Sequence, residues 1–197
     1  MKNLAVYCGS SPGFDDVYTK EAQRLGRILA EKEIGIVYGG GKVGLMGSLA
    51  DAALDAGGKV CGVIPEFLDT LELGHDGLEQ LIRVESMHER KALIEKKSDG
   101  AIALPGGFGT LDEFFEMLTW GQLGLHKKPV GLLNTNGFFN HLLAAIEHMV
   151  KEGFLRDVNR DMLLYAEDPR SLLEMMQNYV PPLEGKWIMD KRKWKSI

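Results

Sequence analysis

Residues 101–118 read AIALPGGFGTLDEFFEML, and the order of features in that stretch decides how the rest of the chain is read. An apolar run of strand type breaks at Pro105, passes three glycines and a threonine, and enters an acidic, aromatic helical pattern with no spacer. A buried strand passing directly into a helix is half of a crossover unit, the connection that parallel strands require. The turn raises its own question. Gly106, Gly107 and Gly109 cost backbone entropy on folding, so the turn needs either positive φ angles or a ligand lying against the main chain.

The same pattern recurs outward from this stretch. Apolar runs LAVYCG, IGIVYGG, KVCGVIP, QLIRVES, GAIALPGG, PVGLLN and MLLYAED alternate with segments of helical period. Each run is continuous rather than alternating, as in parallel strands buried on both faces. Helices are expected over residues 15–32, 43–56, 87–97, 111–123, 138–152 and 169–179, with Gly57 and Gly153 as stops. The expected fold is a single doubly wound Rossmann-like α/β domain over residues 1–180, its mostly parallel sheet flanked by helices. A basic, aromatic tail follows at 181–197. In such sheets the ligand sits outside the carboxyl ends of the strands, and glycine is concentrated there, in residues 9–13, 39–44 and 106–110.

Composition narrows the function. With 197 residues, 45% of them apolar and 26% charged, the chain has the make-up of one globular domain with a substantial core. A formal net charge of -5 argues against a general nucleic-acid binder. The first strand begins within a few residues of Met1, which leaves no space for a signal segment, and no apolar run is long enough to span a bilayer. A cytoplasmic location without membrane attachment is expected. Cys8 and Cys61 lie in apolar strand-like runs, where thiols behave as small hydrophobes. Neither a disulfide framework nor a metal-ligand spacing is present, and the five histidines form no HExxH pair, so no metal is expected.

Two glycine loops invite nucleotide readings. Residues 39–44, Gly39-Gly40-Gly41-Lys42-Val43-Gly44, match G-x-G-x-x-G, but after the second strand rather than the first. The phosphate-binding P-loop is excluded because Val43 follows Lys42 where serine or threonine would hold magnesium. Close helix packing and a ligand-facing backbone explain these glycines as well as a dinucleotide does, with Gly9, Ser10, Gly40 and Gly41 as possible loop contacts. The loop at 106–110 is more specific. Thr110 is placed to cap a helix whose free N–H groups attract a phosphate, yet Asp112 and Glu113 in the same turn repel one, so cations must come from elsewhere. The segment ESMHERKALIEKK supplies Arg90 and Lys91, on a helix opened by a Ser86–Glu89 capping box, with Arg90 on the inward face among Met87, Leu93 and Ile94. That arginine either snorkels past the core or pairs with a structural carboxylate, or it serves the phosphate. Glu113 has two readings as well: T-x-x-E spacing makes it the second half of a capping box, while a carboxylate beside a bound phosphate also suits a ribosyl cation.

PGGFGTLDE and MHERK resemble the PGGxGTxxE and M-x-x-R-K motifs of the LONELY GUY family, the cytokinin riboside 5'-monophosphate phosphoribohydrolases, and CGSSPG and VYGGGKVGLMG fit the same family. The similarity runs from about Lys2 to Tyr179. It implies hydrolysis of the N-glycosidic bond of an N6-substituted AMP, and of AMP itself, to free base and ribose 5-phosphate without cofactor or metal. Carried over by position, Arg90 and Glu113 are the catalytic pair, and Glu72, Lys91, Gly107, Phe108, Gly109, Thr110, Leu111, Asp112 and Thr119 bind substrate. An older label for this family, lysine decarboxylase, would require a lysine held as a Schiff base with pyridoxal phosphate, and no lysine shows a partner set for it.

The helix after the signature carries Phe114, Phe115, Met117, Leu118, Trp120 and Leu123 around most of its circumference. One side suits the sheet and the other a second copy across a two-fold axis, and the resemblance also implies a homodimer. Trp187 and Trp194 lie among Lys186, Lys191, Arg192, Lys193 and Lys195 in the tail, which is expected to pack on its own domain or on the second copy. The rival from another class is a non-catalytic nucleotide or phosphate-cofactor carrier of the same fold, as in the family's molybdenum-cofactor carrier relatives.

Overall fold

The computed structural model describes residues 1–69 and 74–182. Seven strands form one sheet: β1 (Asn3–Tyr7), β2 (Gly35–Tyr38), β3 (Val60–Pro65), β4 (Gln80–Val84), β5 (Ala101–Ala103), β6 (Val130–Leu133) and β7 (Leu163–Ala166). Their order is β4-β3-β2-β1-β5-β6-β7, and every pairing is parallel. The chain thus builds outward from β1 to the β4 edge, returns to lay β5 beside β1, and builds outward again. The expected doubly wound sheet is what forms. The continuous apolar runs of β1, β2, β5 and β6 are buried along almost their whole length, while the edges β4 and β7 are half-covered.

Side chains alternate across the sheet, so Leu4 and Val6 enter one core and Ala5 and Tyr7 the other. The first core lies under α1 (Asp16–Glu31), α2 (Gly44–Asp55) and the C-terminal helix, the second under the helices that follow β4, β5 and β6. Local chemistry starts these helices. Asp15 accepts from the Val17 N–H at 3.0 Å to cap α1. The single-turn α3 (Glu66–Asp69) was not expected from periodicity, being too short to show one. For α4 (Met87–Lys97) half of the expected capping box forms: Ser86 Oγ accepts from the Glu89 N–H at 3.2 Å, while the Glu89 carboxylate reaches one residue beyond the cap, to the Glu85 N–H at 3.0 Å.

The later helices depart from expectation at their starts. A 3-10 turn, Thr135–Gly137, precedes α6 (Asn140–Lys151), so this helix begins two residues after the expected Phe138. Asn136 and Gly137 both have positive φ and turn the chain before Phe138, and Phe139, at φ -92° and ψ 7°, falls outside the helical region and becomes the N-cap. A further single turn, α7 (Asp157–Arg160), leads to β7, and α8 (Pro169–Gln177) begins behind an Asp168 cap with proline in its first turn. It ends two residues before the expected Tyr179. The tail residues 183–197, with Trp187, Trp194 and their lysines, lie outside the described residues.

Helices α1 and α2 approach backbone to backbone at Gly26, where a Cβ would stand 2.5 Å from the Leu49 carbonyl oxygen. Overpacking of this kind costs about 1–3 kcal/mol. Gly26→Val is therefore expected to lower the urea midpoint by that amount of stability with the m-value unchanged, and a midpoint equal to wild type would mean that the seam yields freely.

Candidate active site

The sheet reverses its winding between β1 and β5, and the loops beyond those two strands meet there. Leu104 N–H donates to the Tyr7 carbonyl at 2.9 Å and Gly9 N–H to the Pro105 carbonyl at 3.0 Å, so the pairing continues past the strands themselves. Above this point opens a cavity of about 380 Å³ whose lining includes Gly9, Ser10, Gly41, Arg90, Gly107, Phe108, Gly109, Thr110 and Glu113. It occupies the position where doubly wound sheets bind ligands.

The three glycines of the 106–109 turn now separate by role. None of them has a positive φ. A Cβ on Gly106 would lie 2.2 Å from Thr110 Oγ1 and 3.0 Å from the Gly9 nitrogen, so this glycine lets the two loops touch. At Gly107 and Gly109 a Cβ would meet nothing within 4 Å. Their bare backbone faces open space in the cavity wall, as a ligand lying on the main chain requires.

Helix α5 (Phe108–Gln122) starts three residues earlier than the sequence implies. Its N-cap is Gly107, with no side-chain hydrogen bond, and Leu111 N–H makes the first intrahelical bond, to Gly107 at 3.1 Å. The N–H groups of Phe108, Gly109 and Thr110 are left without intrahelical acceptors and are available to an anion. Thr110 is therefore not the cap, because glycine already supplies the extended backbone that a cap needs. Glu113 accordingly lies more than a turn inside the helix and closes no capping box. No acid occupies the first turn; Asp112 turns outward to Lys91, and Glu113 lies further along the helix near Arg90.

Arg90 is brought in by α4, which runs from the edge strand β4 back across the sheet to β5. Only 9% of Arg90 and 9% of Glu113 remain exposed. Arg90 Nε donates to the Val63 carbonyl at 3.2 Å, its Nη1 lies 3.7 Å from Met87 Sδ, and its Nη2 stands 3.9 Å from Glu113 Oε1. Gly39 makes this possible, since a Cβ there would lie 1.7 Å from Nη2. The inward cation read from the helical period thus meets the carboxylate beside it. Lys91 does not join them. It bridges Asp112 at 3.2 Å and Glu116 at 3.1 Å on the outer side, tying α4 to α5.

Burial dominates the electrostatics of Glu113. Loss of water raises its carboxyl to about 7, with Asp112 and Glu116 pushing the same way, while Arg90 and Lys91 pull it down. A carboxylic acid that changes charge near neutrality is suited to proton or cation chemistry. Desolvation first, and the Glu113 charge second, push the Tyr7 phenol and the Cys8 thiol far upward, so both line the cavity in protonated form.

Of the remaining expected site residues, Lys91, Leu111, Asp112, Thr119 and Gly40 are not part of the cavity lining, and Thr119 is exposed on α5. Glu72 lies outside the described residues. The lining also includes Val6, Tyr7, Cys8, Gly39, Met46, Ile64 and Leu68, which the sequence reading did not assign to the site. Their signal was position alone, since most sit at strand ends or just beyond them. Among the described residues there is no lysine in the lining and no cluster of histidine, cysteine or carboxylate side chains able to hold a metal ion.

Fold and cavity together define a class: a doubly wound α/β protein presenting an uncapped helix N-terminus and a buried guanidinium–carboxylate pair to one small-molecule site. The family model described as "Possible lysine decarboxylase" matches residues 46–176. A cytokinin riboside 5'-monophosphate phosphoribohydrolase from Rhodococcoides fascians is 49% identical over 168 residues, covering 85% of this chain and 85% of that protein. LOG1 of Arabidopsis thaliana, named for the same activity, is 42% identical over 99% of this chain and 91% of its own length. The enzyme LOG of Oryza sativa is 43% identical over 96% of this chain and 78% of its own. The chain belongs to this LONELY GUY family. Among solved structures, a molybdenum cofactor binding protein from Rippkaea orientalis superimposes with a TM-score of 0.69 over 90% of this chain and 97% of that one, at 24% identity. The molybdenum cofactor carrier of Chlamydomonas reinhardtii gives 0.66 over 89% and 95%, at 22%. These two likenesses establish the fold.

The raised Glu113 carboxyl has a thermodynamic signature. Its folded-state value near 7 exceeds the ordinary 4.5, so the folded protein holds the proton more tightly and loses stability as pH rises through that window. Relative to Glu113→Gln, the wild type is expected to lose on the order of 3 kcal/mol between about pH 5 and pH 8, measured by urea unfolding at each pH. A stability difference that does not change with pH would show that Glu113 ionises as freely as in water.

Proposed function

We infer that this chain hydrolyses the N-glycosidic bond of N6-substituted AMP, and of AMP, releasing the free base and ribose 5-phosphate. The carrying observation is the Arg90–Glu113 pair buried in the same cavity wall as the uncapped N-terminus of α5, in a chain 42–49% identical to enzymes named for this activity. The phosphate binds the free N–H groups of Phe108, Gly109 and Thr110, where the helix dipole favours it. That anchor places the ribose over Glu113. As the bond to the base breaks, positive charge grows on the ribose, and the ionised Glu113 carboxylate stabilises it and orients the water that completes hydrolysis. Arg90 holds Glu113 in place and adds a cation for the phosphate.

No cofactor enters this scheme, and the lysine-decarboxylase description finds no nucleophile, because no described lysine lines the cavity. A carrier role fits the shared fold, but a carrier has no use for a carboxylate held near neutrality beside the sugar. Residues 1–180 act as one catalytic domain. Cys8 and Cys61 are unpaired, as suits a reducing cytoplasm. Lys91 and Asp112 serve the substrate indirectly through their bridge between α4 and α5, and Leu111, Thr119 and Glu72 are assigned to substrate binding by resemblance.

The test is incubation with AMP, N6-isopentenyl-AMP and their nucleosides while free base is measured. Monophosphates are expected to turn over and nucleosides not, since each charged hydrogen bond to the phosphate contributes roughly 1.5–3 kcal/mol. Glu113→Gln is expected to lower kcat at least roughly a hundredfold, about 2.7 kcal/mol, with AMP still bound. Tight AMP binding without turnover by the wild type would favour the carrier instead.

A homodimer through α5 is part of the same reading. Phe114 and Met117 are buried in the chain's own core, while Phe115, Leu118 and Trp120 are half-covered and Leu123 is 63% exposed. A second copy related by a two-fold axis covers that apolar surface, and exposed Thr119 then faces the second copy. Sedimentation at micromolar concentration is expected to give a dimer that Trp120→Glu dissociates, and a wild-type monomer would reject it.

A further inference from the structure

A polar cluster not used above ties residues 74–77 to the second glycine loop. His75 is 8% exposed. Its backbone N–H donates to the Gly40 carbonyl at 2.9 Å, and Gly74 forms an antiparallel bridge with Gly41. Its ring is engaged at both nitrogens: Nδ1 lies 3.1 Å from the Gly77 nitrogen and Nε2 lies 2.9 Å from Asp51 Oδ1 on α2. A backbone N–H can only donate, so Nδ1 carries the lone pair and Nε2 carries the proton, which it gives to Asp51. From the inner side, the Tyr38 hydroxyl donates to the Gly41 carbonyl at 3.1 Å. The loop 39–41 is thereby held between Tyr38 and the His75 segment.

That loop is where Arg90 rests. Gly39 lies directly against the Arg90 guanidinium, and Gly41 lines the cavity, yet His75 itself is not part of the lining. We propose that His75 is a positioning residue: through its bonds to Gly77 and Asp51 it presses the 39–41 loop against Arg90 and so holds the guanidinium beside Glu113. The effect on turnover rests on the hydrolase reading, whereas the placement of Arg90 does not. The phosphate anchor on α5 is a separate set of N–H groups, so displacing Arg90 removes only the cation that it adds to that anchor.

His75→Ala removes both ring contacts. His75→Asn keeps one of them, because an asparagine oxygen can accept from the N–H two residues on. Asp51→Asn keeps an oxygen acceptor for Nε2–H. The order expected for kcat is wild type and Asp51→Asn within about twofold of each other, His75→Asn lower, and His75→Ala lower by at least about tenfold, with any loss of AMP affinity by calorimetry clearly smaller than the loss of kcat because the α5 N–H groups keep the phosphate. A second reading is specific to Arg90. Glu113 is faced by Arg90 and Lys91 from α4, by Asp112 and Glu116 from its own helix, by Tyr7 at the end of β1 and by Cys8 just beyond it, and of these it is Arg90 that packs on Gly39. Withdrawing the guanidinium removes a charge that favours ionisation, so in His75→Ala the acid limb of kcat/KM is expected to move to higher pH by at least about half a unit.

The same displacement is read without turnover from the pH window in which stability differs between His75→Ala and His75→Ala/Glu113→Gln. An inactive wild type would sink the hydrolase reading while leaving this one testable. If His75→Ala does not fold, His75→Asn and Asp51→Ala carry the same readings. Folded variants with wild-type kcat and an unmoved Glu113 titration, or with affinity lost in proportion to rate, would overturn the proposal.

Discussion

Everything at this site depends on keeping a guanidinium and a carboxylate close together, both largely buried in the cavity wall, without letting them neutralise each other. Arg90 and Glu113 are 3.9 Å apart, too far for a good hydrogen bond, and Arg90 gives its Nε proton to the Val63 carbonyl instead. A tighter pair would hold Glu113 fully ionised and occupied. The actual spacing leaves burial as the larger influence on the carboxyl, with the arginine as partial compensation. The missing Cβ at Gly39, the switch between β1 and β5, and the early start of α5 all serve this arrangement by giving the two side chains room.

Much of the architecture was legible because parallel strands buried on both faces must be continuously apolar, and the runs at β1, β2, β5 and β6 have that character. The inward direction of Arg90 could be read from helical period, since position on a helix fixes direction. The start of α5 could not. Thr110 followed by Glu113 satisfies the capping pattern, while Gly107 can serve as a cap without leaving any side-chain signature. Lys91 was paired with Arg90 by adjacency, but neighbours on a helix point about 100° apart, and Lys91 turns toward Asp112 and Glu116 instead. Gly39 belonged to a recognisable glycine pattern, yet its task is steric clearance for a side chain some fifty positions away, and no local rule encodes that. The 3-10 turn before α6 contains two left-handed residues, Asn136 and Gly137, which the apolar pattern does not show.

The shared architecture with molybdenum cofactor carriers at 22–24% identity shows that this sheet and its loops do not by themselves dictate chemistry. Here burial in the cavity wall raises a carboxyl, and that depends on which side chains α4 and α5 deliver. In this chain those two helices are bound together by the Lys91 bridge outside and by the second core beneath.

The path of α4 has a consequence for how the molecule comes into being. This helix leaves the outermost strand, β4, and passes over β3, β2 and β1 before β5 can form, so Arg90 and Glu113 become neighbours only after the longest return of the chain is complete. Contacts of that span are entropically costly and form slowly. Recovery of activity during refolding therefore times the closing of the two halves of the sheet, a later event than the appearance of helix or strand.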